Sequence, residues 1–77
     1  MITGLVLVRL QAGKENQTMA KIKDIKGISH VSAVYGRWDL VVDIETDDLP
    51  QMSRLVVEKL RTIPGVLTTE TLVTTAI

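Results

Sequence analysis

The chain of 77 residues contains no cysteine and no phenylalanine, and it has a single histidine, His30. Without thiols, neither a disulfide nor a thiolate-bound metal can stabilise so small a domain, and one histidine alone argues against a zinc site within one chain. Tyr35 and Trp38 are the only aromatic residues, so Val, Leu and Ile must build the core. Such a core contributes roughly 3–5 kcal/mol of net stability at this size, which leaves oligomerisation as the common remaining source of stability.

Charge is balanced, and long apolar runs are missing. Nine basic and nine acidic residues give a formal net charge of zero, which argues against a surface that neutralises nucleic acid phosphates. No apolar run reaches the length of a membrane span, and no charged segment precedes the first apolar stretch. No P-loop, nucleophile elbow or GxGxxG motif is present. We therefore expect a cytoplasmic protein that is not an enzyme, requires no cofactor, and binds neither DNA directly nor a membrane.

The hydrophobic pattern predicts two helices and four strands. Apolar residues at helical spacing predict one helix from Lys14 to a cap at Gly27, and a second from Pro50 to Pro64–Gly65. Asp48, with Gln51 three residues later, forms a capping-box-like start to the second helix. Runs of β-branched and aliphatic residues predict strands over Ile2–Leu10, Ser29–Tyr35, Trp38–Thr46 and Val66–Ile77.

The chain also repeats itself. The segment Ile22–Ile28 resembles Leu60–Val66, and each combines a helix end, a glycine cap and a strand start, 38 residues apart. Two such halves predict βαββαβ, an α+β fold of the ferredoxin-like type with one four-stranded antiparallel sheet and both helices on one face.

The first strand is apolar on both faces, since Leu5 and Leu7 point one way and Val6 and Val8 the other. One face of the sheet would be covered by the two helices. The other face is therefore expected to pack on a second copy of the chain, which makes a dimer the minimum unit. The sequence does not decide which of the two faces meets the partner.

The segment Val34–Leu40 combines both aromatic residues with an arginine, an aspartate and a glycine. It lies between the second and third strands, and Gly36 stands where a tight turn needs positive φ or where a ligand approaches the backbone. An aromatic hairpin turn that only packs on the core is the simpler interpretation.

Three motifs together resemble the effector domain of the leucine-responsive (Lrp/AsnC) regulators, often called RAM for regulation of amino acid metabolism. They are the Gly-x-x-Asp turn within Tyr35–Leu40, the helix end Ile63–Val66, and the T-x-T motif at Thr69–Thr71. Each is weak alone, but their order and spacing are fairly specific, and the resemblance covers essentially the whole chain. Because the family's helix-turn-helix domain does not precede the first strand here, we expect one stand-alone effector domain over residues 1–77.

The resemblance implies dimers packed through their sheets, assembly into octamers or decamers, and a small amino acid bound between neighbouring dimers. It also implies a full-length family regulator as a further partner. In chemical terms, Asp39 can accept from the ammonium, Arg37 or the backbone around Gly36 can bind the carboxylate, and Tyr35 and Trp38 can enclose an apolar side chain. Asp39 could equally serve only to stabilise its own turn. The predicted ligand-binding residues are Tyr35, Gly36, Arg37, Trp38, Asp39, Thr69 and Thr71, the two threonines coming from a neighbouring chain.

Two other classes share this architecture. One is the ACT-like regulatory module, which also binds amino acids and is normally attached to or paired with a metabolic enzyme. The other is a small dimeric α/β-barrel enzyme with a polar cleft between helices and sheet. His30 alone supports the enzyme only weakly.

Overall fold

A computed structural model describes residues 1–74 as a four-stranded antiparallel sheet with helices on one face. The spatial strand order is β2-β3-β1-β4. The element order and sheet topology confirm the predicted ferredoxin-like α+β fold. The strands are β1 (Ile2–Leu10), β2 (Ile28–Ala33), β3 (Leu40–Thr46) and β4 (Val66–Val73), and the helices are α1 (Glu15–Lys23) and α2 (Leu49–Arg54), which continues as a π-helical segment over Leu55–Leu60.

The central strand β1 separates the helix-covered face of the sheet from the open face. Val6 and Val8 are fully buried beneath the helices, whereas Leu5 and Leu7 are only half-buried on the opposite face. In the neighbouring strand β3, Val42 is buried in register with Val6. Leu5 and Leu7 therefore lie on the open face. The alternation of apolar residues in the sequence could not decide which pair of β1 side chains would lie there.

The second helix begins as predicted and ends differently. The carboxylate of Asp48 accepts a hydrogen bond of 2.9 Å from the Gln51 N–H, so this residue caps the helix. The buried side chains Met52, Val56 and Leu60 are four residues apart. Residues four apart lie on one face of a helix, so all three side chains pack toward the sheet.

Both halves of the chain leave their helices in the same way. Val66 N–H donates to Ile63 in the second half, as Ile28 N–H does to Ile25 in the first. The second junction is held further by Thr18, a buried polar residue that the apolar pattern did not single out. Its hydroxyl donates a hydrogen bond of 3.2 Å to the Pro64 carbonyl, so helix α1 fixes the start of β4.

Several strand ends differ from the predicted ones, and β2 begins one residue earlier, at Ile28 instead of Ser29. β2 ends at Ala33 instead of Tyr35, and β3 begins at Leu40 instead of Trp38, so that residues 34–39 form a longer turn. The described part of β4 ends at Val73, and the predicted residues 75–77 of that strand lie outside the described residues. Over residues 1–74, no helix has the length and hydropathy needed to cross a membrane.

Candidate ligand-binding site

The turn between β2 and β3 is closed by one backbone hydrogen bond. Val34 N–H donates to the Asp39 carbonyl over 2.9 Å, which leaves four residues outside the ladder. Gly36 has φ +126°, a conformation that glycine adopts without strain. A Cβ built on this glycine would find no atom within 4 Å. The predicted positive φ is therefore confirmed, and the space beside the Gly36 backbone is open.

Asp39 connects this turn to the end of β1. Its backbone N–H donates to the Val8 carbonyl over 2.9 Å, and its Oδ2 accepts a hydrogen bond of 2.8 Å from Leu10 N–H. The β1–β4 register shifts between Arg9 and Leu10, and the carboxylate satisfies the Leu10 donor at that irregularity. The side chain of Asp39 was expected to stabilise its own hairpin, and it instead binds the backbone of β1.

The two aromatic residues of the turn differ in their surroundings. Tyr35 is fully exposed, whereas Trp38 is half-buried. Arg37 is exposed as well. Packing on the core therefore does not account for Tyr35, and a phenol so placed is available to a ligand or to another chain.

Thr69 and Thr71 lie on the helix-covered face of β4, where they pair with Val8 and Val6 of β1. They line a groove of about 280 Å³ between β4 and the second helix. Its other lining residues are Leu49, Met52, Ser53, Val56, Val57, Arg61 and Val73.

Within one chain, the turn and the two threonines are separated by β1. Leu40 and Thr69 pair with Val8 from opposite sides, and two strand spacings of about 4.8 Å place their backbones roughly 9–10 Å apart. None of residues 35–39 lines the groove that contains the threonines. The structure therefore brings Tyr35 to Asp39 together and leaves Thr69 and Thr71 apart from them. A neighbouring chain would have to supply the threonines.

Several residues of this region were not singled out from the sequence. Leu49 is the first residue of the second helix and Val57 lies beside its buried stripe, and both are about half exposed. A large apolar side chain off the core stripe of a helix, as at Val57, is the sequence signal that would have indicated the groove. No sequence signal could have identified the hydrogen-bond partner of Asp39, since Leu10 is 29 residues away.

The chain matches the family model described as the Lrp/AsnC ligand binding domain over residues 3–76. An uncharacterized HTH-type transcriptional regulator of Pyrococcus abyssi is 31% identical over 74 residues, covering 92% of this chain and 49% of that protein. The chain thus spans about half the length of the curated relatives it matches. These relatives are transcriptional regulators, and the matching domain is their ligand-binding part, which agrees with the prediction that the chain is not an enzyme.

Solved structures have the same fold. The crystal structure of FFRP-DM1 superposes with a TM-score of 0.92 at 33% sequence identity, covering 97% of this chain and 100% of that one. The transcriptional regulator NMB0573 from Neisseria meningitidis, solved as a complex with L-Met, has a TM-score of 0.87 at 16% identity, covering 97% and 50% of the two chains. The second likeness concerns the fold alone.

Proposed function

This chain belongs to the Lrp/AsnC ligand-binding domain family, and from that premise we propose that it is an amino acid sensor whose ligand binds at the turn Tyr35–Asp39. The observation that carries the proposal is the position of the Asp39 carboxylate. It is half-buried at the turn, and one of its oxygens is committed to Leu10 N–H. A carboxylate offers about four acceptor sites, so capacity remains for an ammonium group.

The rest of the turn suits the other parts of an amino acid. The backbone of Gly36 can be approached closely because no atom occupies the Cβ position, and its neighbouring N–H groups or Arg37 can bind a carboxylate. Exposed Tyr35 supplies an apolar surface beside them. Thr69 and Thr71 of a neighbouring chain complete the site. NMB0573, a protein of the same fold, was solved with L-Met, and we propose that the ligand here is likewise an apolar amino acid, a small one.

The site requires an oligomer, and the open sheet face supports one. That face carries the apolar side chains of Leu5, Leu7, Val41 and Leu72, with Asp43 opposite Leu5 and Glu70 opposite Leu7. Packing the apolar side chains on a second copy would remove them from water, the main favourable term in association. Dimers formed in this way would assemble further into octamers or decamers and place the turn of one dimer against the threonines of another.

The effect of ligand binding would be passed on to partner proteins. A formal net charge of zero argues against direct DNA binding by this chain. We propose a cytoplasmic location and a full-length family regulator as its partner. An ACT-like role, with a metabolic enzyme as partner, is the alternative, and affinity capture that returns an enzyme instead of a regulator would favour it.

A thermal-shift screen of the wild-type protein against the twenty amino acids tests the proposal. A ligand that binds only the folded assembly stabilises it by about 2.7 kcal/mol at a hundredfold excess over its dissociation constant. We expect a rise in melting temperature with one or a few apolar amino acids and none with acidic or basic ones. No stabilisation by any amino acid, in a sample that light scattering shows to be oligomeric, would contradict the proposal.

A further inference from the structure

The groove between the second helix and β4 differs in chemistry from the turn. Its floor is apolar, formed by buried Met52 and Val56. Three exposed aliphatic side chains form its walls, with Leu49 52%, Val57 51% and Val73 43% accessible. Exposed side chains of this kind that converge on one concavity indicate a binding surface rather than scattered surface apolar residues.

One end of this groove is positively charged, because Arg61 lines it. Arg61 also lines a second, adjoining cavity of about 200 Å³, together with Val66, Leu67, Thr68 and Thr69. Arg61 and Thr69 are common to both cavities. Among the described residues that line them, none is acidic. The groove therefore has a cationic end with hydroxyl groups beside it and a long aliphatic end.

The neighbouring backbone adds further donors at the cationic end. β4 is an edge strand that pairs only with β1. In an antiparallel pair, alternate residues direct their N–H groups away from the partner strand. Beside Arg61, the outer edge of β4 can therefore contribute hydrogen bonds to an anion.

We propose that this groove binds a small aliphatic carboxylate that carries no amino group, such as a short branched-chain fatty acid or α-keto acid. The carboxylate lies on Arg61, which binds such groups through two parallel N–H···O bonds. The hydrocarbon chain lies along Val57 and Val73. An α-ammonium group would be repelled by the Arg61 guanidinium, and no acidic side chain among the described lining residues offsets that repulsion, so the groove disfavours amino acids.

The size of the groove limits the ligand. At about 280 Å³ it lies just below the usual range for drug-sized ligands of about 300–1,000 Å³, which suits a chain of a few carbon atoms. This site goes beyond the amino acid site, because it uses no residue of the turn and has only Thr69 and Thr71 in common with it. The tests below leave Thr69 and Thr71 unchanged because both sites would use them.

The experiment is a heteronuclear NMR titration of the full chain with isocaproate, with isohexyl alcohol and leucine as comparison ligands. Isocaproate should cause saturable amide shifts in residues 49–57, 61 and 66–73. The alcohol and leucine should shift those amides weakly or not at all. Arg61→Gln should weaken isocaproate binding roughly ten- to hundredfold, the range expected when a charge-assisted bond is lost.

Three further variants separate this site from the turn. Arg37→Gln also removes one exposed arginine, and it should leave isocaproate affinity within roughly twofold. Val57→Asp places a negative charge in the groove at a half-exposed position, and it should abolish binding while the spectrum stays that of a folded protein. Asp39→Asn should not affect isocaproate, so failure of the amino acid site would leave this result intact.

The proposal is overturned if isocaproate gives no saturable shifts in the groove, or if Arg61→Gln binds it as the wild type does. It is also overturned if leucine shifts the groove amides as strongly as isocaproate, because the groove would then not discriminate against an amino group.

Discussion

The carboxylate of Asp39 accepts a hydrogen bond of 2.8 Å from the backbone N–H of Leu10. This contact ties the β2–β3 turn to the irregular end of β1. From there the connection continues, because Gln11 N–H donates to the Gly65 carbonyl at the start of β4 over 2.8 Å. A displacement of Asp39 would therefore affect the end of β1 and, through Gln11, the start of β4, which lines the groove.

Gly36 is expected to matter through its backbone. Gly36→Ala should destabilise the fold by roughly 1–3 kcal/mol through backbone strain alone, because φ is +126° there and the added Cβ would meet no other atom. The methyl group would also occupy the space where an amino acid approaches the backbone. Chemical denaturation and calorimetric titration with the amino acid identified by the screen measure the two effects.

Gly13→Ala is the matched control, since Gly13 has φ +87° and equally open surroundings but lies outside the turn. It should cost similar stability and leave amino acid affinity unchanged. Equal losses of affinity in both variants would show that general destabilisation, and not the turn, governs binding.

Neighbouring residues of β1 should separate dimerisation from folding. Leu7→Asp places a charge on the open face, where the side chain is half-buried, and we expect a folded monomer. Val6→Asp places the same charge in the core, where Val6 is fully buried, and we expect loss of the fold. Light scattering and circular dichroism report the two outcomes. A Leu7→Asp protein that remains dimeric would exclude the open face as the interface.

The contact of Thr18 with the start of β4 predicts a strong effect of Gly65→Ala. The new Cβ would overlap the Thr18 hydroxyl, and φ is +101°. Gly65→Ala should therefore destabilise more than Gly13→Ala, which has the backbone strain alone. Adding Thr18→Ala removes the overlapping hydroxyl and should recover part of the loss in urea denaturation, despite the lost bond to Pro64. No recovery would mean that backbone strain accounts for the entire effect.

The sequence predicted those features that depend on local patterns. The repeated glycine junctions at Gly27 and Gly65 predicted βαββαβ, and Asp48 marked the start of the second helix because capping involves residues three apart. The positive φ of Gly36 followed from its place between two strands. These features are specified within a few residues, so a single sequence is sufficient to identify them.

The remaining features depend on contacts between distant segments. Leu7 and Val6 are both aliphatic, and only the position of the helices decides which is exposed. The Asp39–Leu10 bond joins two strands and follows from their register. The groove is formed by the packing of the second helix beside β4, which no local pattern specifies. Its threonines are remote from the turn of the same chain, and only a neighbouring chain could bring the two together.

Calorimetric titration of Asp39→Asn with the amino acid identified by the screen tests the central claim most directly. An asparagine oxygen can still accept from Leu10 N–H, so the melting temperature should stay near that of the wild type, while the neutral amide loses the charge that holds the ammonium. We predict an affinity loss of roughly 1.5–3 kcal/mol with the fold retained. Wild-type affinity in Asp39→Asn, together with a lowered melting temperature in Asp39→Ala, would make Asp39 a structural residue of the turn and contradict the proposed site.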